Sequence, residues 1–313
     1  MYINNQIPKW SSDGRCPPCL NSVIVSCYYE IENKRSSECF IDWICNFLFI
    51  KSPKIIYTNI KTLNNLFKKI TEKENIQICQ ICKSLPDVFY CNEKNTVFII
   101  QELEETFIWK NYKKLMEFSE TIDKEKHSGI NHNKYLYTIW NNKSLFLKNA
   151  SMIVDSKYYY WSDIGCIRYK STPEVQRLVS SLNFPKNIIN NTKMTLSLIH
   201  NFENTDEQFV NGIPYIYYNN GKIDRIQGGF FGGGKKEVNE WCDLYIEQLE
   251  EFKKYNLFSG KDQYIMGTIF LRYKYKFNIV QPSLFNITEE MIKQQPHLKL
   301  GEDPWFRYLV IFN

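Results

Sequence analysis

The chain has 313 residues, of which 43% are hydrophobic and 23% charged, a composition that excludes a disordered or fibrous protein. Its net charge of +5 favours anionic ligands such as nucleotide phosphates, but Lys and Arg are spread along the chain, which argues against a nucleic-acid-binding protein. Aromatic residues make up 16% of the chain. Because Tyr and Trp are favoured at protein interfaces, an aromatic-rich surface would support a homodimer, although the sequence does not fix the oligomeric state.

The beginning of the chain, residues 1–14, is polar and has no basic segment followed by an apolar one, so no signal peptide is predicted. No apolar run approaches the length of a membrane span. Ten cysteines without a secretion signal indicate free thiols in a reducing compartment, and we expect a soluble, cytoplasmic protein. A zinc site formed by the pairs Cys16/Cys19 and Cys79/Cys82 is the less favoured alternative, because a long apolar-periodic segment separates them.

Short runs of β-branched and aromatic residues alternate with segments in which apolar residues recur every three or four positions, which predicts strands alternating with helices. Strands are predicted at residues 22–29, 54–58, 95–100, in a run that ends at Asp163, and at 223–234 and 277–280. Helices are predicted at residues 40–48, 63–70, 108–123, 134–150, 173–182, 237–255 and 262–271. This alternation predicts an α/β fold with a largely parallel sheet.

Asp163 is the residue most indicative of a site. An aromatic, strand-like run ends at this acid, and Gly165 follows two residues later. Ligands of open α/β sheets collect at the carboxyl ends of the strands, so Asp163 is placed to hold a metal ion, Mn²⁺ or Mg²⁺, that neutralises a diphosphate. An ordinary strand-end acid that caps a turn is the alternative. Arg168 would either add positive charge to the site or form a surface ion pair.

Residues 227–235, with the sequence QGGFFGGGK, place five glycines around Phe230 and Phe231. A phosphate-binding loop is rejected because Lys236 stands where that loop needs Ser or Thr. Glycines let the backbone approach a bulky ligand closely. The segment therefore predicts a ligand-facing loop in which an aromatic ring stacks on a sugar, with a flexible hairpin as the alternative.

Asp262 opens a predicted helix, where an acid commonly caps the first turn. Beside a ligand cleft the same carboxylate would orient or deprotonate an acceptor hydroxyl, and the sequence leaves both roles open. Of the four histidines, His297 is the preferred additional metal ligand, although a lone histidine is more often structural.

Three segments, YYWSDIG at residues 159–165, QGGFFGGG at 227–234 and KDQ at 261–263, resemble in order and spacing the HtrL/YibB-like family, which is similar to GT-A glycosyltransferases. The likeness extends to VSCYY at residues 25–29 and to the segment 137–143. Relatives of this type occur in bacteria and in large DNA viruses; a viral protein would act in the host cytoplasm or be carried in the virion. The resemblance implies a Rossmann-type mixed sheet flanked by helices in a single large domain. Within it we distinguish an N-terminal extension (1–21), a nucleotide-sugar-binding half (22–170) and an acceptor-side half (171–313).

The resemblance also implies roles for individual residues. Asp163 matches the first acid of the metal-binding Asp-x-Asp motif, and Gly165 stands in place of the second. The nucleotide would be contacted by Val25, Ser26, Tyr28 and Lys143. The donor and acceptor sugars would be bordered by Trp161, Gly165, Phe231, Gly232, Gly233 and Gln263. Asp262 would be the catalytic base if the enzyme inverts the configuration of the sugar.

The expected function is therefore metal-dependent transfer of a hexose from a nucleoside-diphosphate sugar, with a UDP-sugar favoured, to a hydroxyl of a glycan or protein. Because Gly165 replaces the second acid, a noncatalytic carbohydrate- or nucleotide-sugar-binding protein that keeps the fold is the main alternative. A nucleotidyltransferase, which would also use a metal and a sugar phosphate, is a third.

Overall fold

The computed structural model describes residues 20–31, 37–74, 88–91, 95–126, 131–185, 192–203, 209–215 and 224–313. Most of the predicted N-terminal extension and the candidate zinc ligands Cys16, Cys19, Cys79 and Cys82 lie outside these ranges. Free thiols are found at Cys27, Cys39, Cys45, Cys166 and Cys242.

The strands are β1 (Leu20–Cys27), β2 (Lys54–Thr58), β3 (Val88–Cys91), β4 (Thr96–Ile100), β5 (Ser156–Ser162), β6 (Met194–Leu198), β7 (Phe209–Val210), β8 (Ile213–Pro214), β9 (Ile226–Gly233) and β10 (Phe277–Val280). The helices are α1 (Ser37–Leu48), α2 (Ile60–Glu74), α3 (Phe107–Ile122), α4 (Lys134–Ile153), α5 (Pro173–Ser180), α6 (Lys235–Lys254), α7 (Asp262–Arg272), α8 (Glu289–Gln294) and α9 (Tyr308–Ile311). Short 3-10 turns complete the carboxyl-terminal segment.

In the described part of the chain, eight strands form one sheet in the order β10-β6-β9-β5-β1-β2-β4-β3. Strands β1, β2, β4 and β5 are parallel to one another, and β6 is parallel to β10. β9 lies between β5 and β6 and runs antiparallel to both, and β3 is antiparallel to β4. The prediction of a mixed α/β sheet flanked by helices in a single domain is confirmed.

Both faces of the sheet are covered. Because successive strand side chains point to opposite faces, Val25 and Trp161 pack with residues of α3, α4, α6 and α7, while Ile24 and Tyr160 pack with residues of α1, α5 and α9. Every residue of β2 and β9 is buried as a result. For β2, which is parallel to both of its neighbours, this explains the largely apolar run in the sequence, which is typical of buried parallel strands.

The elements predicted from the sequence are confirmed, apart from shifts of a few residues at their ends, and β2 and β10 have the predicted bounds. Strands β3, β6, β7 and β8 and the short helices α8 and α9 were missed. β6 has the sequence MTLSL, in which Thr195 and Ser197 are as buried as the apolar residues with which they alternate. Small polar residues of this kind make a buried strand look like a loop in the sequence.

The glycine-rich segment is the central strand β9, in agreement with the predicted strand at 223–234, but Phe231 within it does not face a ligand, which corrects the sequence interpretation of this ring. Phe231 is fully buried, and its ring lies 6.3 Å from that of Trp161 and 6.0 Å from that of Trp241, measured between centroids. A ring in this position has no face free for a sugar. The expected sugar contacts of Phe231, Gly232 and Gly233 are therefore not supported by the structure.

Gly232 is required by the close approach of β9 to β5. A Cβ atom at this position would lie 2.2 Å from the carbonyl oxygen of Tyr159 and 2.4 Å from the ring of Tyr160. Backbone atoms of a central strand cannot move aside cheaply, because the ladder fixes them on both sides.

We expect Gly232→Ala to lower the free energy of unfolding by about 1–3 kcal/mol through this overpacking. The matched control is Gly229→Ala in the same strand, where the nearest atom to the added Cβ is 3.4 Å away. Urea unfolding of both variants measures the difference. Equal stability of the two variants would contradict the packing argument.

Candidate functional site

The site lies where the strand order reverses. From β1 the chain proceeds to β2 and β4 on one side and later to β5 on the other. In open α/β sheets the crevice outside such a point is the preferred ligand site. A cavity of about 500 Å³ lies there, lined by Cys27 at the end of β1 and by Asp163, which follows β5. Because β9 is antiparallel, its early residues 227–229 reach the same edge and also line the cavity.

The cavity has aromatic and charged lining residues. The aromatic residues are Phe40, Trp43, Trp140, Trp161, Trp305 and Phe306. The charged residues are Glu125, Lys143, Asp163, Arg168, Asp224, Lys261 and Asp262. Large apolar walls with a few convergent polar groups are typical of small-molecule sites.

The Lys143 ammonium, from the middle of α4, joins two carboxylates. Its Nζ lies 3.1 Å from Asp163 Oδ1 and 3.0 Å from Asp262 Oδ2, and it donates a hydrogen bond of 2.8 Å to the carbonyl oxygen of Gly228. Only 5% of the Lys143 and Asp262 side chains is exposed, compared with 42% for Asp163. Burial alone would lower the pKa of Lys143, but the Asp163 and Asp262 carboxylates outweigh it and raise the pKa, so the amine is charged.

Asp163 is held by one of its two oxygens. Trp161 Nε1 donates to Oδ1 at 2.8 Å, the same oxygen that contacts Lys143. The backbone N–H of Asp163 donates to the carbonyl oxygen of Gly229 at 3.0 Å, which fixes the residue against β9. Within the described ranges no group donates a hydrogen bond to Oδ2. This oxygen is therefore available to a ligand.

Asp262 is the first residue of α7, and Lys261 rather than Asp262 occupies the N-cap position. Its Oδ1 accepts a 3.0 Å hydrogen bond from the backbone N–H of Gln263. Its Oδ2 is buried, and its contact with Lys143 is an ion pair without the alignment of a hydrogen bond. Burial raises the pKa of Asp262, the Asp163 carboxylate adds to this, and the Lys143 ammonium offsets it only in part.

The residues present fit a divalent cation bound mainly by its ligand. Mg²⁺ and similar ions are often held by one or two carboxylates, with water and substrate phosphates completing the shell. Asp163 Oδ2 suits that role, whereas Asp163 Oδ1 and Asp262 Oδ2 already contact an ammonium. In the ranges that the structure describes, no group of three or more His, Cys, Asp or Glu side chains is arranged to hold a metal ion.

His297 is not brought to this site. It lies in the 3-10 turn Pro296–Gly301, with its Nε2 3.2 Å from Asn313 Nδ2, and it is not among the residues that line the cavity. Partial burial lowers the pKa of His297. Its predicted role as a ligand beside Asp163 is therefore not supported by this arrangement.

The predicted nucleotide contacts are only partly reproduced. Val25 and Ser26 are fully buried inside β1 and do not line the cavity. Tyr28 packs against Phe40, a lining residue, with ring centroids 6.0 Å apart, and burial raises the pKa of Tyr28 to about 12. Cys27 lines the cavity instead, because it ends the strand at its carboxyl edge.

Several other cavity residues were missed by the sequence interpretation. Trp43, Trp140 and Trp305 line the cavity from three separate segments of the chain, whereas Gln227 and Gly228 belong to the glycine-rich segment that was predicted to face a ligand. The predicted residues Trp161, Gly165 and Gln263 do line it. For Gly228 the signal was its place at the start of the glycine run, since a Cβ there would lie 2.7 Å from Asp262 Oδ2.

Gly165 shows why a second acid is absent at its position. A Cβ atom there would lie 3.2 Å from Trp43 Cε3, so any side chain would press on this ring. The second carboxylate of the site comes from Asp262 instead, which is distant in sequence but shares Lys143 with Asp163.

No protein-family model matches the chain, and no curated protein matches it at a significant level. The resemblance to the HtrL/YibB-like family and to GT-A glycosyltransferases thus stays a prediction based on the motifs. Among the helices of the described ranges, none combines the length and apolar character needed to cross a membrane.

We expect Lys143→Met to lower the free energy of unfolding by about 3–5 kcal/mol, because it leaves the buried Asp262 carboxylate without its counter-charge. Lys148→Met on the same helix is the matched control. Lys148 Nζ lies 2.7 Å from Asp243 Oδ1, but this pair is solvent-exposed, so its loss should change stability by at most about 1 kcal/mol. Chemical denaturation compares the two variants, and similar losses would refute a special role for Lys143.

Proposed function

We propose that this chain is a glycosyltransferase that moves a hexose from a nucleoside-diphosphate sugar, with a UDP-sugar favoured, to a hydroxyl of a glycan or protein. The observation that supports this most is the pairing of two different carboxylates on one ammonium at the carboxyl edge of the sheet. The Asp163 side chain is half-exposed and has one oxygen without a hydrogen-bond donor among the described residues, and Asp262 is buried with a raised pKa. Two acids in unlike environments suit two roles in one reaction.

Asp163 is proposed as the protein ligand of Mn²⁺ or Mg²⁺. A bound ion would offset the negative charge that develops on the departing diphosphate. The chain's own contribution is to orient the carboxylate. Lys143 and Trp161 both engage Oδ1 and leave Oδ2 without a protein partner in the described residues.

Asp262 is proposed as the base that accepts the proton of the acceptor hydroxyl. A carboxylate whose pKa is raised by burial binds a proton more readily than an exposed one. Lys143 acts as a positioning residue, because it fixes the distance of Asp262 from Asp163. Trp140 and Trp43 offer flat apolar surfaces in the same cavity, on which a nucleotide base or a sugar ring would stack.

A noncatalytic sugar-nucleotide-binding protein is the second candidate, and one observation favours it. Asp262 Oδ2 lies 3.0 Å from an ammonium, which weakens it as a base. If Lys143 does not shift when a ligand binds, the cavity would hold the donor without promoting transfer.

The role of Asp163 is tested by calorimetry with UDP. We expect Mn²⁺ to strengthen UDP binding at least about tenfold, because charge-assisted contacts of this kind contribute about 1.5–3 kcal/mol. Asp163→Ala should abolish the gain. Asp155→Ala, which removes an exposed acid just before the same strand, should keep it. An unchanged Mn²⁺ effect in the Asp163 variant would exclude this residue as the ligand.

Transfer itself is tested by release of UDP from a panel of UDP-sugars, with and without glycan acceptors. We expect turnover that Asp262→Asn lowers at least about a hundredfold, the usual contribution of a general base. Because the pKa of Asp262 is raised, the rate should fall with decreasing pH at values above the ordinary aspartate pKa of 3.8. Absence of turnover with every donor and metal, together with intact UDP binding, would favour the noncatalytic protein.

A further inference from the structure

Arg168 lies at the mouth of the cavity, between two aromatic rings. Its guanidinium carbon is 4.6 Å from the ring centroid of Phe306 and 5.4 Å from that of Trp43, and both rings line the cavity. These distances are within the range of cation-π contacts. Contact with rings restrains the planar group while its N–H donors stay free to bind a partner in its own plane.

Arg168 is unlike the Lys residues that line the same cavity. Lys143 contacts the carboxylates of Asp163 and Asp262. Lys261 is likewise held by two acids, as its Nζ lies 2.6 Å from Glu125 Oε2 and 3.4 Å from Asp224 Oδ1.

By contrast, none of the acids in the described ranges lies within ion-pair distance of Arg168, and within these ranges its side chain contacts the two rings. Its side chain is exposed. An anion that enters the cavity therefore meets one guanidinium whose charge is not already matched by a carboxylate.

Gly165 maintains this arrangement. A side chain at position 165 would press on Trp43, since even its Cβ would lie 3.2 Å from the ring. An acid there would also put a negative charge three residues from Arg168. Gly165, which stands in place of a second acid, therefore leaves room for the Trp43 ring and adds no negative charge near Arg168.

We infer that Arg168, held by Trp43 and Phe306, binds an oxyanion of the ligand, a phosphate or a carboxylate, without needing a metal ion. A guanidinium recognises both groups with two parallel hydrogen bonds. Under the proposed function this anion is a phosphate of the donor, an assignment that rests on that function. The anion site itself does not.

Calorimetry in the presence of EDTA tests this site with two probes, inorganic pyrophosphate and glucuronate. We expect one or both to bind the unmodified protein, and Arg168→Met to weaken that binding at least about tenfold. Arg168→Lys should restore it only in part, because an ammonium cannot form the paired contact. Gly165→Asp should weaken it as well.

Lys170→Met is the matched control, since it removes an exposed positive charge two residues away, and it should bind the probes as the unmodified protein does. Near-ultraviolet circular dichroism of each variant shows that the fold is kept. Binding of pyrophosphate alone indicates a phosphate site, and binding of glucuronate alone a site for an acidic sugar. Equal losses in the Arg168 and Lys170 variants, or no binding of either probe to the unmodified protein, would overturn the inference.

This experiment is independent of turnover and of divalent ions. Loss of probe binding in Arg168→Met with no UDP release from any donor would leave the anion site standing and count against the transferase. Donor turnover that is unaffected by Arg168→Met, with no probe binding, would leave the transferase standing and overturn the anion site.

Discussion

The ion pair network around Lys143 is the constraint on which the site depends. A buried ammonium is stable only when it is well compensated, and here the compensation comes from Asp163 after β5, from Asp262 at the start of α7 and from the Gly228 carbonyl in β9. Three elements that are remote in sequence are thereby fixed relative to one another at one edge of the sheet. The same network leaves a single carboxylate oxygen of Asp163 facing the cavity.

Glycine makes this geometry possible at two points. At Gly228 a side chain would collide with the Asp262 carboxylate, and at Gly165 it would press on the ring of Trp43. Gly228 therefore lets the charged groups approach one another on one side of the cavity. Gly165 leaves space for the ring of Trp43 on the other side. A single site combines a compensated charge cluster with an uncompensated arginine at its mouth.

The sequence was sufficient to predict the α/β fold class and most of the helices and strands, because the helical and strand periodicities of apolar residues are strong in this chain. It also identified Asp163, Asp262 and Lys143, which the structure brings into contact. It failed for Phe231, because the pattern of a glycine-rich strand does not show which of its rings packs inside the core. It failed for Trp43 and Trp305 because nothing local distinguishes a cavity-lining tryptophan from a core one. Only the order of the strands in the sheet determines which tryptophans lie at the cavity.

The position of the antiparallel strand β9 determines when the site can form during translation. It is inserted between β5 and β6, so the amino-terminal half of the chain ends in a sheet with an unfilled edge. Lys143 and Asp163 are translated long before Gly228 and Asp262. In a nascent chain, Lys143 and Asp163 therefore lack their partners Gly228 and Asp262. The complete site can form only after the final third of the polypeptide has left the ribosome.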